Sequence, residues 1–260
     1  MSEFIRRHIG PSEDEQQKML EYLSYSSMDE FVKDVVPESI LIDESLELPN
    51  SCSEREALNQ LQFHTIYNDT KRSLLGNGYY GTIIPSVIKR NVFENPAWYT
   101  SYTPYQAEIS QGRLEALFNF QTLITELTGL PIANASLLDE GTAAAEAMIM
   151  AFNAAKPGKN VFHVDATAFK QTIEVLKTRA EPLGIKIKLF HHDNLDEIDE
   201  NSFGVFCQYL NHFGNINDVK RKIKFAKERN VLSIIAVDPM LQVLLEPVGE
   251  LGADIAVGSM

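Results

Sequence analysis

Between residues 112 and 127 the apolar side chains Leu114, Leu117, Phe118, Leu123 and Leu127 recur at a helical period, and Gly129 stands just past the last of them as a stop signal. Past the turn Lys156-Pro157-Gly158-Lys159 the pattern changes. Short apolar runs at Val161 to Val164, Ile185 to Phe190, Phe203 to Tyr209, Val231 to Val237 and Ile255 to Val257 predict strands. Amphipathic stretches at 171–180 and 218–229, the second capped by Asp218, predict helices between them. Buried strands alternating with helices predict an α/β fold whose mostly parallel sheet is covered on both faces. Ligands in such sheets lie beyond the carboxyl ends of the strands. Asp238, directly after Ile234-Ile235-Ala236-Val237, and the turn after Val164-Asp165 hold that position.

The first 75 residues read differently. Ser12 with Glu15 three residues on forms a capping box, and Met19, Leu20 and Leu23 follow at helical spacing. A second helix is expected over 29–36, ended by Pro37, and a third over 54–67 with Leu58, Leu61 and Ile66 on related faces. This predicts a helical N-terminal arm over 1–75, an irregular connection over 76–111, and a partial α/β large domain over 112–260. The connection opens with Gly76-Asn77-Gly78-Tyr79-Tyr80-Gly81, residues tolerant of positive φ, and continues through Ile83-Ile84-Pro85 and Asn95-Pro96. Its tyrosines and Trp98 suit either a contact surface or local packing under the loop.

Between the long helix and the first strand runs Leu137-Leu138-Asp139-Glu140-Gly141-Thr142-Ala143-Ala144-Ala145-Glu146-Ala147-Met148, a loop feeding an alanine-rich helix. Unpaired N–H groups and the helix dipole at such a start can hold a phosphate or carboxylate, with Thr142 as a candidate ligand. Thr142 can equally cap a plain core helix.

Composition narrows the function classes. In 260 residues there are 23 basic against 36 acidic side chains, and the net charge of −13 opposes nucleic acid and anionic membrane surfaces. No uninterrupted apolar run approaches the roughly 18 residues of a membrane span, and the first eleven residues lack the apolar core of a signal peptide, so the cytoplasm is expected. Cys52 and Cys207 are too few and too far apart for a metal site or a disulfide framework. His163, His191, His192 and His212 fall in different predicted elements without metal-ligand spacing.

Several stretches together carry a family resemblance: Tyr102-Thr103-Pro104-Tyr105-Gln106-Ala107-Glu108-Ile109-Ser110-Gln111-Gly112-Arg113, then Leu127-Thr128-Gly129-Leu130, then Ala133-Asn134-Ala135-Ser136. With them the chain resembles the glycine decarboxylase P-protein family, specifically the N-terminal half of the long form or subunit 1 where two genes encode it. The likeness runs from Arg7-His8-Ile9-Gly10-Pro11 to the last residue. It implies the fold type I architecture of enzymes that use pyridoxal phosphate, continued beyond residue 260 by the rest of the large domain and a smaller one.

A pyridoxal phosphate site of that kind needs phosphate donors, a flat side chain on the ring, a carboxylate for the pyridine nitrogen and a lysine for the imine. Asp238 is placed to be the carboxylate, or else simply caps the turn at Pro239. The family's ring-stacking histidine, in a His-Pro-Gln-Thr segment, matches Phe169 of Phe169-Lys170-Gln171-Thr172. Asp139 and Glu140 set two negative charges where the phosphate would rest. No lysine follows Lys227 in this sequence.

The resemblance therefore implies a non-catalytic half with degenerate positions Thr142, Phe169 and Asp238, no cofactor of its own, and pyridoxal phosphate held by the catalytic half or subunit 2. The further partners it implies are glycine and the lipoyl H-protein, which receives the aminomethyl group. Tyr102, Thr103, Tyr105, Gln106 and Glu108 are expected to form a wall of the partner's active site. The alternative is a truncated, inactive interaction module of the same family.

Overall fold

The structure is a computed structural model that describes residues 7, 8, 10–42, 44, 46–99, 103–191, 194–199 and 201–260. It divides into two compact units, one up to Arg72 and one from Ser73 onward.

The first unit holds α1 (Glu13–Tyr22), α2 (Met28–Val35) and α3 (Glu54–Thr65). The capping box at Ser12 is formed: its N–H donates to Glu15 at 2.7 Å and its hydroxyl accepts from Glu15 N at 3.4 Å. Ser53 and Glu56 make a second box at the start of α3. Leu20 is the one buried side chain among the described residues of this unit, and the expected apolar face of α3 is exposed at Leu58, Leu61 and Ile66. These helices rest on their caps and local bonds more than on packing.

The second unit begins with the connection. It is less irregular than its Gly, Asn and Pro content predicts, with short helical turns at Ser86–Ile88, Lys89–Phe93, Pro96–Tyr99 and Ala107–Ile109. Then follows α4 (Gln111–Thr128), closed by Gly129 at φ +70°.

The α/β part runs α5 (Glu140–Ala154), β1 (Val161–Asp165), α6 (Lys170–Ala180), β2 (Lys186–Phe190), β3 (Ser202–Gln208), α7 (Val219–Glu228), β4 (Leu232–Ala236), α8 (Pro239–Leu244), α9 (Val248–Leu251) and β5 (Ile255–Val257). The pairings between these strands are all parallel, in the order β2-β1-β3-β4-β5.

The fold class is α/β, with this parallel five-stranded sheet between two apolar layers. On one face Phe162, Val164, Phe206 and Ile234 pack against Ala144, Ala147 and Met148 of α5 and Ile173 and Leu176 of α6. The small residues of α5 let its backbone approach the sheet closely. On the other face Val205, Cys207 and Ile235 meet Val219, Ile223 and Ala226 of α7. Burial pushes the Cys207 thiol up to about 12, so at neutral pH it is an inert core side chain. The outer strand β2 carries Lys186 and Lys188 on exposed positions, which discourages pairing along that edge.

Candidate functional site

The sheet's carboxyl edge is where β4 ends and α8 begins. Val237 N donates to Val257 O at 2.8 Å, and a Cβ on Gly258 would lie 2.2 Å from Val237 O. The exit of β5 is therefore pressed against the start of α8. Asp238 is half-buried there, and its two oxygens have separate partners. Oδ1 accepts from Met240 N at 2.8 Å and caps α8, whose N1 residue is Pro239; Oδ2 accepts from the Tyr80 hydroxyl at 2.8 Å.

Tyr80 arrives on the glycine-rich loop. Tyr79 N donates to Gly76 O at 3.2 Å, with Asn77 at φ +58° and Gly78 at φ +92° between them. This is a mirror-image turn, which ordinary side chains disfavour. It lays Gly78 flat against Phe169, so that a Cβ there would sit 2.2 Å from Phe169 Cε1. The Tyr79 ring leans on the same phenyl group, 5.3 Å between centroids and tilted by 55°. Phe169 is 6% exposed.

Beneath the loop lies Glu140, the first residue of α5, itself 4% exposed. It accepts from Gln208 Nε2 at 3.2 Å and from the Ser259 N–H, and among the described residues it has no ion-pair partner. Burial pushes its carboxyl above the usual carboxylate range, and the nearby charges of Asp238 and Asp139 act the same way, while its two hydrogen bonds oppose them.

Asp139 caps α5: its Oδ1 accepts from Thr142 N at 2.7 Å, and this bond holds its carboxyl below the ordinary value. Thr142 is thus the residue capped rather than the cap. The resulting pocket, about 290 Å³, is lined by Tyr79, Tyr80, Glu140, Phe169, Gln208 and Asp238 among others.

The residues singled out from sequence fall in different places. Phe169 and Asp238 share the pocket, and Thr142 lines no part of it. Tyr102 is outside the described residues. Thr103, Tyr105, Gln106 and Glu108 are exposed and line no part of the pocket; Glu108 instead borders an open groove with Gln111, Leu114, Glu115 and Phe118.

The other strand-end carboxylate, Asp165, is buried. It pairs with Lys222 and accepts from Thr167 N at 2.9 Å and Thr167 Oγ1 at 2.7 Å. His163 Nδ1 lies 2.8 Å from Ser202 Oγ and His212 Nδ1 lies 2.8 Å from Thr167 O, while His192 is outside the described residues. Among the described residues no group of three His, Cys, Asp or Glu side chains is clustered for a metal ion.

The sequence model of the glycine cleavage system P-protein matches residues 6–260. The chain belongs to that family. A glycine dehydrogenase (decarboxylating) of Prochlorococcus marinus is 51% identical over 259 residues, and one of Parasynechococcus marenigrum is 54% identical over 261. These alignments take in 98% and 99% of this chain, which spans 27% of the length of either relative. A crystal structure of glycine decarboxylase (P-protein) in inhibitor-bound form superposes with a TM-score of 0.83 at 31% identity, covering 97% of this chain and 58% of that one. The fold is the fold type I architecture.

Pyridoxal phosphate, which that architecture implies, can be tested against the pocket of this P-protein chain. The residues present do not fit it. The Phe169 ring, on which a pyridine would have to stack, is 6% exposed and covered by Gly78. The free oxygen of Asp238 is bound by Tyr80. Asp139 and Glu140 set two carboxylates at the helix start where a phosphate dianion would rest, and the charge of Asp238 adds to the acidity around Glu140.

Sequence reasoning singled out the Gly76–Gly81 run and Asp165 without assigning Gly78 or Tyr80 to this pocket, and it missed Gln208 and the pairing of Asp165 with Lys222. The run of residues tolerant of positive φ ahead of two tyrosines was the available signal for Gly78 and Tyr80.

Proposed function

We propose that this chain is part of the non-catalytic half, or subunit 1, of a P-protein that decarboxylates glycine and passes the aminomethyl group to the lipoyl arm of the H-protein. The observation that carries the reading is Glu140, a buried carboxylate without an ion-pair partner among the described residues, standing where the fold would bring a phosphate. A chain so arranged takes no pyridoxal phosphate, and the cofactor belongs to the catalytic half or subunit 2. The net charge of −13 and the lack, among the described residues, of a helix long and apolar enough to cross a membrane support a role without nucleic acid or lipid, in the cytoplasm.

Its contribution to turnover is the stretch from Tyr102 to Glu108. Thr103, Tyr105, Gln106 and Glu108 present hydroxyl, amide and carboxylate groups on a backbone stiffened by Pro104, chemistry suited to facing a small zwitterion. With Tyr102 they form the opposite wall of the catalytic half's active site. The test joins this chain to the remainder of a P-protein and to H-protein and follows carbon dioxide release from glycine. Tyr105→Phe and Glu108→Gln should each lower turnover about 5- to 20-fold at unchanged assembly and melting temperature. Asp238→Asn should leave it within about twofold. Turnover that does not depend on this chain would favour the inactive interaction module, and loss of turnover in Asp238→Asn would favour a catalytic role.

A further inference from the structure

A pocket that does not fit the cofactor of its fold is usually collapsed or filled, and this one is filled by a specific segment. We propose that the Gly76–Gly81 loop is the pocket's own resident ligand, occupying the ring position of the fold's cofactor and excluding any phosphorylated pyridine from it. The Tyr80 phenol donates to Asp238 Oδ2 at 2.8 Å, the hydrogen bond that a protonated pyridine nitrogen would make. The Gly78 peptide lies on Phe169, the ring that would stack on a pyridine, closer than any residue with a Cβ could come. The Asp139 carboxylate binds Thr142 N at the start of α5, the place of an anion at a helix N-terminus. Three anchors that a phosphorylated pyridine would use are held by three groups of the same chain.

The local backbone is built for this docking. Asn77 and Gly78 take the two left-handed positions of the mirror-image turn, and this geometry brings a peptide rather than a side chain onto the ring. The Asp238 hydrogen bond also raises the Tyr80 phenol above its ordinary value, so it remains a donor throughout the neutral range. Docking converts a binding pocket into a joint that ties the start of the connection, and with it the turns from Ser86 to Tyr99, to the sheet edge. This inference deepens the non-catalytic reading, and its test separates the two.

The full chain is digested with dilute chymotrypsin, which cuts after Tyr79 and Tyr80 only when the loop leaves its pocket. Asp238→Ala and Phe169→Ala keep the cleavage site intact while removing its two anchors. Each should speed cleavage after Tyr79 and Tyr80 about tenfold, with cleavage after the fully buried Phe206 unchanged as the control for global unfolding. Equilibrium dialysis with pyridoxamine 5′-phosphate, whose amine forms no imine with lysines, supplies the second readout. The parent should show no saturable binding, whereas Tyr80→Ala combined with Glu140→Gln should gain it.

Unchanged cleavage in Asp238→Ala, or no gain of binding in the double variant, overturns the resident-ligand proposal alone. Saturable binding by the parent overturns it together with the non-catalytic reading.

Discussion

Two aspartates stand at equivalent places in this fold, each just past or at the end of a parallel strand on the carboxyl edge of the sheet, and they live opposite lives. Asp165 at the end of β1 is sealed from solvent, ion-paired to Lys222 and bonded twice to Thr167, with the Lys222 ammonium 5.7 Å from the centre of the Phe190 ring. Asp238 after β4 is half open, and its only described side-chain partner is a phenol delivered by a loop 158 positions away. Topology thus offers several strand ends to chemistry, and the local supply of counter-charge decides which become structure. Lys222 rises from α7 under β1, whereas the surroundings of Asp238 are acidic, with Glu140 and Asp139 nearby.

The contrast can be broken most forcefully at the buried pair. Asp165→Ala leaves the Lys222 ammonium without its carboxylate in the core and should cost about 3–5 kcal/mol in urea denaturation. Adding Lys222→Met should recover most of that loss, because a charge is removed and an apolar chain of similar length replaces it. A double variant no more stable than Asp165→Ala would show that Lys222 is not what makes Asp165 structural.

A smaller effect of opposite sign is expected at Glu140. Its carboxyl titrates higher in the folded chain than the ordinary value of 4.5, so protonation favours folding. The destabilisation is therefore absent below pH 4.5 and grows as pH rises through the raised folded value. Glu140→Gln should leave stability unchanged at the acid end and raise it at pH 7.5, where its amide also meets the Gln208 Oε1 that lacks a partner. Thermal melts of parent and variant across pH 4.5 to about 8 read the difference directly. A gap that is constant with pH would mean that the carboxylate charge is not the cause.

The smallest change belongs to Tyr80→Phe. An exposed phenol contributes little to global stability, so the melting temperature should move by less than about 2 °C even as the loop loosens. A large drop would place Tyr80 with Asp165 as a core element and erase the comparison.

Much of the α/β layout was legible because its cause is local. Apolar runs such as Ile234-Ile235-Ala236 between predicted helices point to buried strands, and Asp218 capped its helix as its position implied. The capping box at Ser12 was legible for the same reason, and the one at Ser53 has the same spacing.

The helix α8 was missed because Asp238-Pro239 was read as a turn, although an acidic cap followed by proline is also a helix start. The contents of the candidate pocket were hidden for a different reason. The likeness of Phe169 and Asp238 to family positions pointed to their surroundings, yet nothing in sequence spacing ties Gly78 to Phe169 or Tyr80 to Asp238, since the second contact spans 158 positions and both depend on the finished sheet. Lys222 was hidden likewise, reading as one basic residue in the run Lys220-Arg221-Lys222.

The distance of 158 positions between Tyr80 and Asp238 also sets an order of events during synthesis. The loop leaves the ribosome early, but its acceptor emerges only after β4 has been made, about 8 to 30 s later at ordinary translation rates. Throughout that interval the loop has no Asp238 to bind. The seal of this pocket can therefore close only after the strand that carries its acceptor has been made, however early the loop itself emerges.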